Sequence, residues 1–386
     1  MTNKIYVFKT ITYIIIINKL MKYIIFRDDG IGDLIISTPL IKLLKKYDKD
    51  AHITLVCGNR NYEYASLYKK EGLLNNILLN SGNFNIFSKI KFLFLIRSIK
   101  PDYTFILNSK NINFLYAKLS GSLKNFGFLT LNTTKNGKIK YRPIKYIKDY
   151  LLDSYVTIDC TDNFVHSIET HWSEYYTELF KKIFNTVFHS YEIKFSKDDL
   201  EYVKLNIKND KNNIISILNN TQVDIENINI IHIDEKWKRS EWSNKDLLNF
   251  VLKINVNISG SLIITEGIYS EAYNKFIFNE LAFNKVSNDT YDFNIYQSKK
   301  IPNIFIIKPT NMKLITSLIS ISDLVVTQHG GLTHISSMYN KKIIDLTYKG
   351  HRNFLKKWHP KSINSIQIQT EDLSNTINNV LEFIKK

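Results

Sequence analysis

Cysteine is almost missing from this chain. Cys57 and Cys160 are the only two among 386 residues, and neither stands in a CxxC pair. That excludes a disulfide framework and a cysteine-based zinc module, and it fits a reducing compartment such as the cytoplasm. Glycine and proline are also sparse, at 13 and 6. No repeat of 20–50 residues and no low-complexity tract is visible. No apolar run reaches the ~20 residues of a membrane-spanning helix. The apolar stretch in residues 1–20 is short, is interrupted by Lys9, and lacks a small-residue cleavage site. Residues 1–20 therefore read as a leader or a mis-called start, with Met21 as the alternative first residue and an interfacial anchor as the lesser reading. There is no compact arginine-rich block and no K/R-G-F-G-F-V signature, so a nucleic-acid partner is not expected.

What is present is ordinary for a soluble globular protein: 44% hydrophobic and 23% charged residues, in a length that suits two domains. Asn, Ile and Lys are abundant, as a coding bias toward A and T would produce. The balance is basic, with 52 Lys+Arg against 36 Asp+Glu and a net charge of +16. Such a field favours phosphorylated small molecules, anionic membranes or nucleic acid. The lysines are scattered, with clusters at 138–148 and 341–361.

Short β-branched runs alternate with longer amphipathic stretches. Strands are predicted at 23–27, 52–57, 76–79, 103–107 and 125–128, with helices between them such as 35–47 and 86–99. A polar stretch at 197–213 precedes a second series of strands at 228–233, 261–266, 304–308, 323–327, 342–346 and 365–368. Helices are predicted there at 244–254, 312–321 and 371–385. Near-continuous Ile, Val and Leu suit strands buried on both faces, so two parallel α/β sheets are expected. Between them, residues 162–208 carry His171, Trp172, Tyr175, Tyr176, Leu179 and Phe180 at helical spacing, which reads as a core-facing stripe.

Three strand ends carry chemistry. The first runs from Arg27 through Asp29, Gly30, Gly32 and Asp33 to Pro39 and opens a helix. In open α/β sheets such loops face the ligand crevice. Asp33 at a helix N-terminus is either a cap or an ionised general base. No third glycine completes a dinucleotide fingerprint. The second runs Gln328-His329-Gly330-Gly331-Leu332-Thr333-His334. Glycines before a helix start leave N–H groups for a diphosphate, and His334 either enters the site or packs under it. No carboxylate or third histidine stands at metal-ligand spacing, so no metal is expected. The third, after the strand at 228–233, offers Lys236, Lys238 and Arg239 for phosphate, or forms a solvated basic turn. Trp237 and Trp242 could pack under a base, though core anchoring is the better reading. Glu266, at the end of another strand, could accept from a ribose, though an ordinary polar loop is the better reading.

Taken in order, these residues resemble glycosyltransferase family 9, the heptosyltransferases of lipopolysaccharide and surface-glycan synthesis. The family's first motif is an Arg, four variable residues, Gly-Asp, apolar residues and a Pro. Here it stands as Arg27, Gly32-Asp33 and Pro39. The later strand-Gly-x-x-His motif is matched by Gly331 and His334, with Thr333 between them. The resemblance spans most of residues 21–360. It implies the GT-B architecture, two Rossmann-like parallel-sheet domains facing a cleft. Residues 21–195 would bind acceptor, residues 205–370 the nucleotide sugar, and the terminal helix would fold back onto the first half.

The resemblance also implies inverting transfer without metal or other cofactor, with Asp33 as base. The acceptor would be an anionic glycolipid or oligosaccharide. The chain would be cytoplasmic, in peripheral contact with the inner membrane, and a monomer or weak oligomer. Where the family has Asp and Ser/Thr before the glycine, this chain has His329 and Gly330, so the donor sugar is heptose or another. A non-catalytic nucleotide-sugar-binding module, or a basic RNA-associated protein, would be the other classes.

Overall fold

A computed structural model describes residues 20–386 except 83–84, 134–137, 144–146, 161–171, 189–194, 268–270, 288–292, 310, 349–354, 361–363 and 371. Residues 1–19, His171 and part of the loop after Glu266 lie outside the described residues.

The first sheet holds β1 (Lys22–Phe26), β2 (His52–Cys57), β3 (Asn76–Leu79), β4 (Tyr103–Ile106), β5 (Lys124–Thr133), β6 (Ile139–Arg142) and β7 (Ser154–Cys160). Its path runs β3-β2-β1-β4-β5, all parallel. The long β5 then takes two further partners. β7 pairs with it in parallel, and β6 lies antiparallel to its last residues, beyond the end of β4. The helices of this half are α1 (Ile31–Tyr47), α2 (Tyr62–Lys70), α3 (Ile86–Ile99), α4 (Asn111–Leu119), α5 (Lys148–Leu151) and α6 (Trp172–Val187).

The second sheet runs β10-β11-β12-β9-β8-β13-β14-β15. Its members are β8 (Ile228–Ile233), β9 (Ser261–Glu266), β10 (Phe283–Lys285), β11 (Asn294–Ser298), β12 (Ile304–Lys308), β13 (Leu324–Gln328), β14 (Lys342–Thr347) and β15 (Ser365–Gln369). β10 and β11 are antiparallel at one edge, and the other six strands are parallel. Its helices are α7 (Lys208–Asn219), α8 (Asn244–Asn255), α9 (Glu271–Leu281), α10 (Met312–Ile321), α11 (Gly331–Met338) and α12 (Leu373–Lys385). Every residue of β8 and β13 is buried, as their mostly apolar sequences favour, and the buried polar side chains are partnered, His232 with Thr265 and Gln328 with Ser240. These are two Rossmann-like halves of one α/β chain.

Helix α1 shows how the sequence accommodates its own breaker. Pro39 lacks the N–H that would donate to Ile35 O, and Thr38 Oγ1 donates there instead at 2.7 Å. The same hydroxyl accepts from the Val203 amide at 3.0 Å, tying α1 to the segment that leads into the second half. The aromatic stripe of α6 is core, as its spacing predicts: Tyr176 meets Phe128 of β5 edge-on with ring centroids 4.9 Å apart.

Two expectations are corrected. Four strands escaped the sequence reading: β6, β7, β10 and β11. β10 has three residues, and β6 and β7 alternate polar with apolar, so none shows the run that marked the others. The terminal helix does not return to the first half. α12 packs on β15 and α8 of the second sheet, with Ile377 and Val380 in that core. The chain crosses earlier instead. Lys357 Nζ donates to Asp159 O at 3.1 Å, and its carbonyl accepts from the Trp172 amide at 3.0 Å.

Candidate active site

Arg27 leaves the carboxyl end of β1 with its side chain buried and organises the first loop. Its Nε donates to Asp33 O at 2.8 Å, one terminal nitrogen reaches Asp33 Oδ1 at 3.1 Å, and the other meets Asp29 Oδ2 at 3.2 Å and the Leu107 carbonyl. Burial works against the guanidinium charge, but Asp29, Tyr176, Asp33 and Asp28 more than offset it. Asp33 Oδ2 accepts from the Gly30 amide at 3.1 Å while 42% of its side chain stays exposed. The cap and base readings of Asp33 are therefore compatible: one residue caps the start of the helix and also lines a cavity.

Asp29 is the unexpected member. Its Oδ1 is buried without a hydrogen-bond partner. Burial pushes this carboxyl up to about 8, against the pull of Arg27 and with the Asp33 charge adding to the rise. Asp28, by contrast, is fully engaged. Asn113 donates to its Oδ1 at 3.0 Å, as does Asn108, while Asn80 and Lys110 reach Oδ2 at 2.7 and 3.0 Å. Those partners come from the ends of β3 and β4 and from α4, so they fix the loop's path across three strand ends. The sequence reading missed this set, because Asn residues scattered through an Asn-rich chain carry no local signal.

The glycine loop of the second half follows β13. His329 Nδ1 donates to Asp345 Oδ2 at 2.8 Å, and His359 Nδ1 donates to the same oxygen at 2.8 Å. Thr333 Oγ1 reaches Asp345 Oδ1 at 3.2 Å and accepts from the Gly330 amide at 3.3 Å. Burial alone would raise the Asp345 carboxyl, but His329 and His359 hold it far below the usual carboxylate range. With Nδ1 held, the remaining ring nitrogen of His329 is Nε2, an acceptor when neutral and a donor when protonated. Lys236 lies against this loop. Its Nζ donates to His329 O at 3.1 Å and pairs with Asp234 at 3.1 Å, and a Cβ on Gly330 would collide with it.

The other predicted donor residues are dispersed. Lys238 is exposed. Arg239 sits over the Tyr348 ring and donates to its hydroxyl at 2.8 Å. Glu266 pairs with Lys308 at 2.9 Å. Trp237 and Trp242 are buried and pack on Phe250, so they are core anchors. Leu332 is half-buried at the start of α11. His334 is buried, with Nδ1 3.1 Å from Tyr202 Oη, and packs under the loop.

The two glycine motifs meet. A Cβ on Gly32 would lie 2.7 Å from His334 Cδ2, and one on Gly331 would lie 3.1 Å from Ile31 Cβ. Helices α1 and α11 therefore touch N-terminus to N-terminus, with no room for a Cβ at Gly32 and little at Gly331. A cavity of about 500 Å³ opens on the first half, lined by Arg27, Asp29, Asp33, Lys140, Arg142 and Tyr176, with Trp358 of the crossing segment closing one side. Lys140 and Arg142 stand on β6, one of the strands invisible in sequence, and so were missed. Among the described residues no group of three or more His, Cys, Asp or Glu side chains could hold a metal ion.

No family model matches the chain, and no curated protein matches it in sequence. Solved structures do match over 95% of this chain. The ADP-heptose lipopolysaccharide heptosyltransferase II of E. coli superposes with TM-score 0.63 at 15% identity, over 98% of its length. A glycosyltransferase of family 9 from Veillonella parvula gives TM-score 0.66 at 10% identity, over 97%. The UDP-GlcNAc 2-epimerase of Methanocaldococcus jannaschii gives 0.57 at 14%, over 93%. The chain thus has the GT-B fold of the heptosyltransferases, a fold shared with enzymes of different reaction type.

Proposed function

We propose that this chain is an inverting, metal-independent glycosyltransferase that moves a sugar, heptose or another, from a nucleotide sugar to an anionic surface-glycan acceptor of lipopolysaccharide type. The observation that carries this reading is the meeting of the two helix starts, Asp33 on one and Gly330 and Gly331 on the other, with Lys236 lying against the glycine loop. Residues 21–195 would hold the acceptor and residues 205–370 the donor, with the terminal helix α12 after them. Asp33 takes the proton of an acceptor hydroxyl, and the oxygen attacks the anomeric carbon. The bond from that carbon to the diphosphate breaks on the opposite face, and the nucleoside diphosphate leaves. The first-turn N–H groups of α11, which have no intrahelical partner, and the Lys236 ammonium meet the departing charge. Arg27 orients Asp33 from behind through both its backbone and its carboxylate.

Lys140 and Arg142 in the cavity suit a phosphorylated or carboxylated acceptor. A membrane-borne acceptor of that kind keeps the chain on the cytoplasmic side of an anionic membrane in peripheral contact. No helix among the described residues is long and apolar enough to cross a bilayer.

A thermal-shift screen against ADP-, GDP-, UDP- and CMP-sugars, with short RNA as control, followed by chromatography of the sugar product, tests the reading. A shift with one nucleotide class, and sugar transferred to an added glycan, supports it. A shift with release of a free epimer assigns the site to epimerisation, and a shift without turnover leaves a binding module. A shift with RNA alone overturns the donor site.

A further inference from the structure

The positive charge is not spread evenly. Residues 72–148 contain thirteen Lys and Arg against one acid, Asp102, a net of +12 out of the chain's +16. Asp102 is itself buried, with its carboxylate on the Lys22 amide. This segment supplies β3 to β6 and, on one face of the first sheet, helices α3 and α4 with the start of α5.

The same helices expose apolar side chains. Of the sixteen large hydrophobic residues exposed among the described residues, ten lie on α3, α4, α5 or the turns beside them. α3 is the extreme case. Its sequence is IFSKIKFLFLIRSI, yet only Phe92 and Ile96 are buried. Phe87 is 78% exposed and Phe94 65%, with Ile86, Ile90 and Leu95 also exposed. Phe87, Ile90 and Phe94 fall at i, i+3 and i+7, on one face. Lys89, Lys91 and Arg97 are exposed on the same helix, and no acid lies between Glu71 and Asp102. A contiguous apolar patch on a surface helix marks an interaction site. An apolar face flanked only by cations is the composition of a helix that lies in a bilayer interface.

We infer that α3, backed by α4, is the element that docks this chain on an anionic lipid bilayer, with Phe87, Ile90 and Phe94 entering the acyl boundary and Lys89, Lys91 and Arg97 at the headgroups. Charge decides the occupant. α3 and α4 carry Lys89, Lys91, Arg97 and Lys118 and no acid, so this face repels a second copy of itself, whereas it complements phosphodiester headgroups. The placement agrees. α3 begins six residues after Asn80, which holds Asp28 in the loop carrying Asp29. The apolar helix start and the cavity therefore both lie toward the carboxyl ends of this sheet's parallel strands. This rests on the assignment of a membrane-borne acceptor only for its purpose, not for its physics.

The test is flotation of the full chain with phosphatidylcholine vesicles, with and without phosphatidylglycerol. Wild type is expected to float with anionic vesicles and to release as salt is raised. Phe87→Ser with Phe94→Ser should lower the partition about tenfold or more. Lys89→Gln with Lys91→Gln should lower it less and flatten its salt dependence. Both pairs are exposed, so melting temperature and the shift given by nucleotide sugars in the absence of lipid should match wild type. If wild type itself gives no donor shift, glycosyl transfer fails while the vesicle result still stands. Vesicle binding untouched by the phenylalanine pair overturns the inference. So does sedimentation showing a wild-type dimer that the same pair converts to monomer, because the face would then belong to a second copy.

Discussion

Asp33 illustrates how one carboxylate serves structure and chemistry together. It accepts from the Gly30 amide at the start of α1 and from Arg27, and it still borders the cavity. Asp33→Ala is expected to lower turnover by about two to four orders of magnitude, the scale of a lost general base. It should also cost about 1 kcal/mol of stability from the lost cap. Asp33→Asn keeps an acceptor for the amide, so it should regain the stability but not the rate. Steady-state kinetics beside thermal melts separates the two, and wild-type turnover in either variant would remove Asp33 from the reaction. Asp29 makes a prediction of its own. Its native carboxyl is raised to about 8 by burial, so the folded chain holds a proton that the unfolded chain releases at ordinary carboxylate pH. Between about pH 4 and 8 this group's contribution to stability must therefore fall as pH rises. Asp29→Asn lacks that fall, and its melting temperature should gain on wild type from about pH 5 to 8. A gap constant with pH would sink the argument.

At the level of elements, the contact between α1 and α11 is the decisive geometry. Gly32 has no room for a Cβ, because His334 Cδ2 would stand 2.7 Å away. Gly32→Ala is expected to destabilise the chain by roughly 1–3 kcal/mol through overpacking. Adding His334→Ala should recover part of that loss. Additive effects in the double mutant, read by denaturant unfolding, would show that the two helices do not press on each other at this point. The same contact explains why His334 is not a free ligand: its ring fills the space between α11, Gly32 and Tyr202.

At the scale of the molecule, the described residues tie the two halves at several places, among them the α1–α11 contact, the Met312 amide of α10 on Glu63 of α2, and Lys357 with Asp159. The proposed chemistry places every charge it needs on side chains and helix ends. Sugar transfer is accordingly expected to proceed unchanged in excess EDTA, and a rate that collapses in EDTA and returns with a divalent ion would contradict it.

The two series of apolar strands, their parallel pairing and the two glycine loops at strand ends were legible in the sequence, because strands buried on both faces must be apolar throughout and a helix start beside a ligand must be backbone-rich. Asp33 and its Arg27 partner were legible because both lie within one loop. What depended on distant segments was not. The Asn80, Asn108 and Asn113 amides around Asp28 come from separate strand ends and a helix. Asp345, which binds His329, His359 and Thr333, sits in the middle of an apolar strand and acquires its role only from neighbours across the sheet. Among three adjacent cations, sequence proximity treats Lys236, Lys238 and Arg239 alike, and only the turn's path selects Lys236 for the glycine loop. The apolar face of α3 is written in the sequence, but that it is left uncovered is a property of the fold. Local pattern determines which segments can be buried, and tertiary packing decides which of them are.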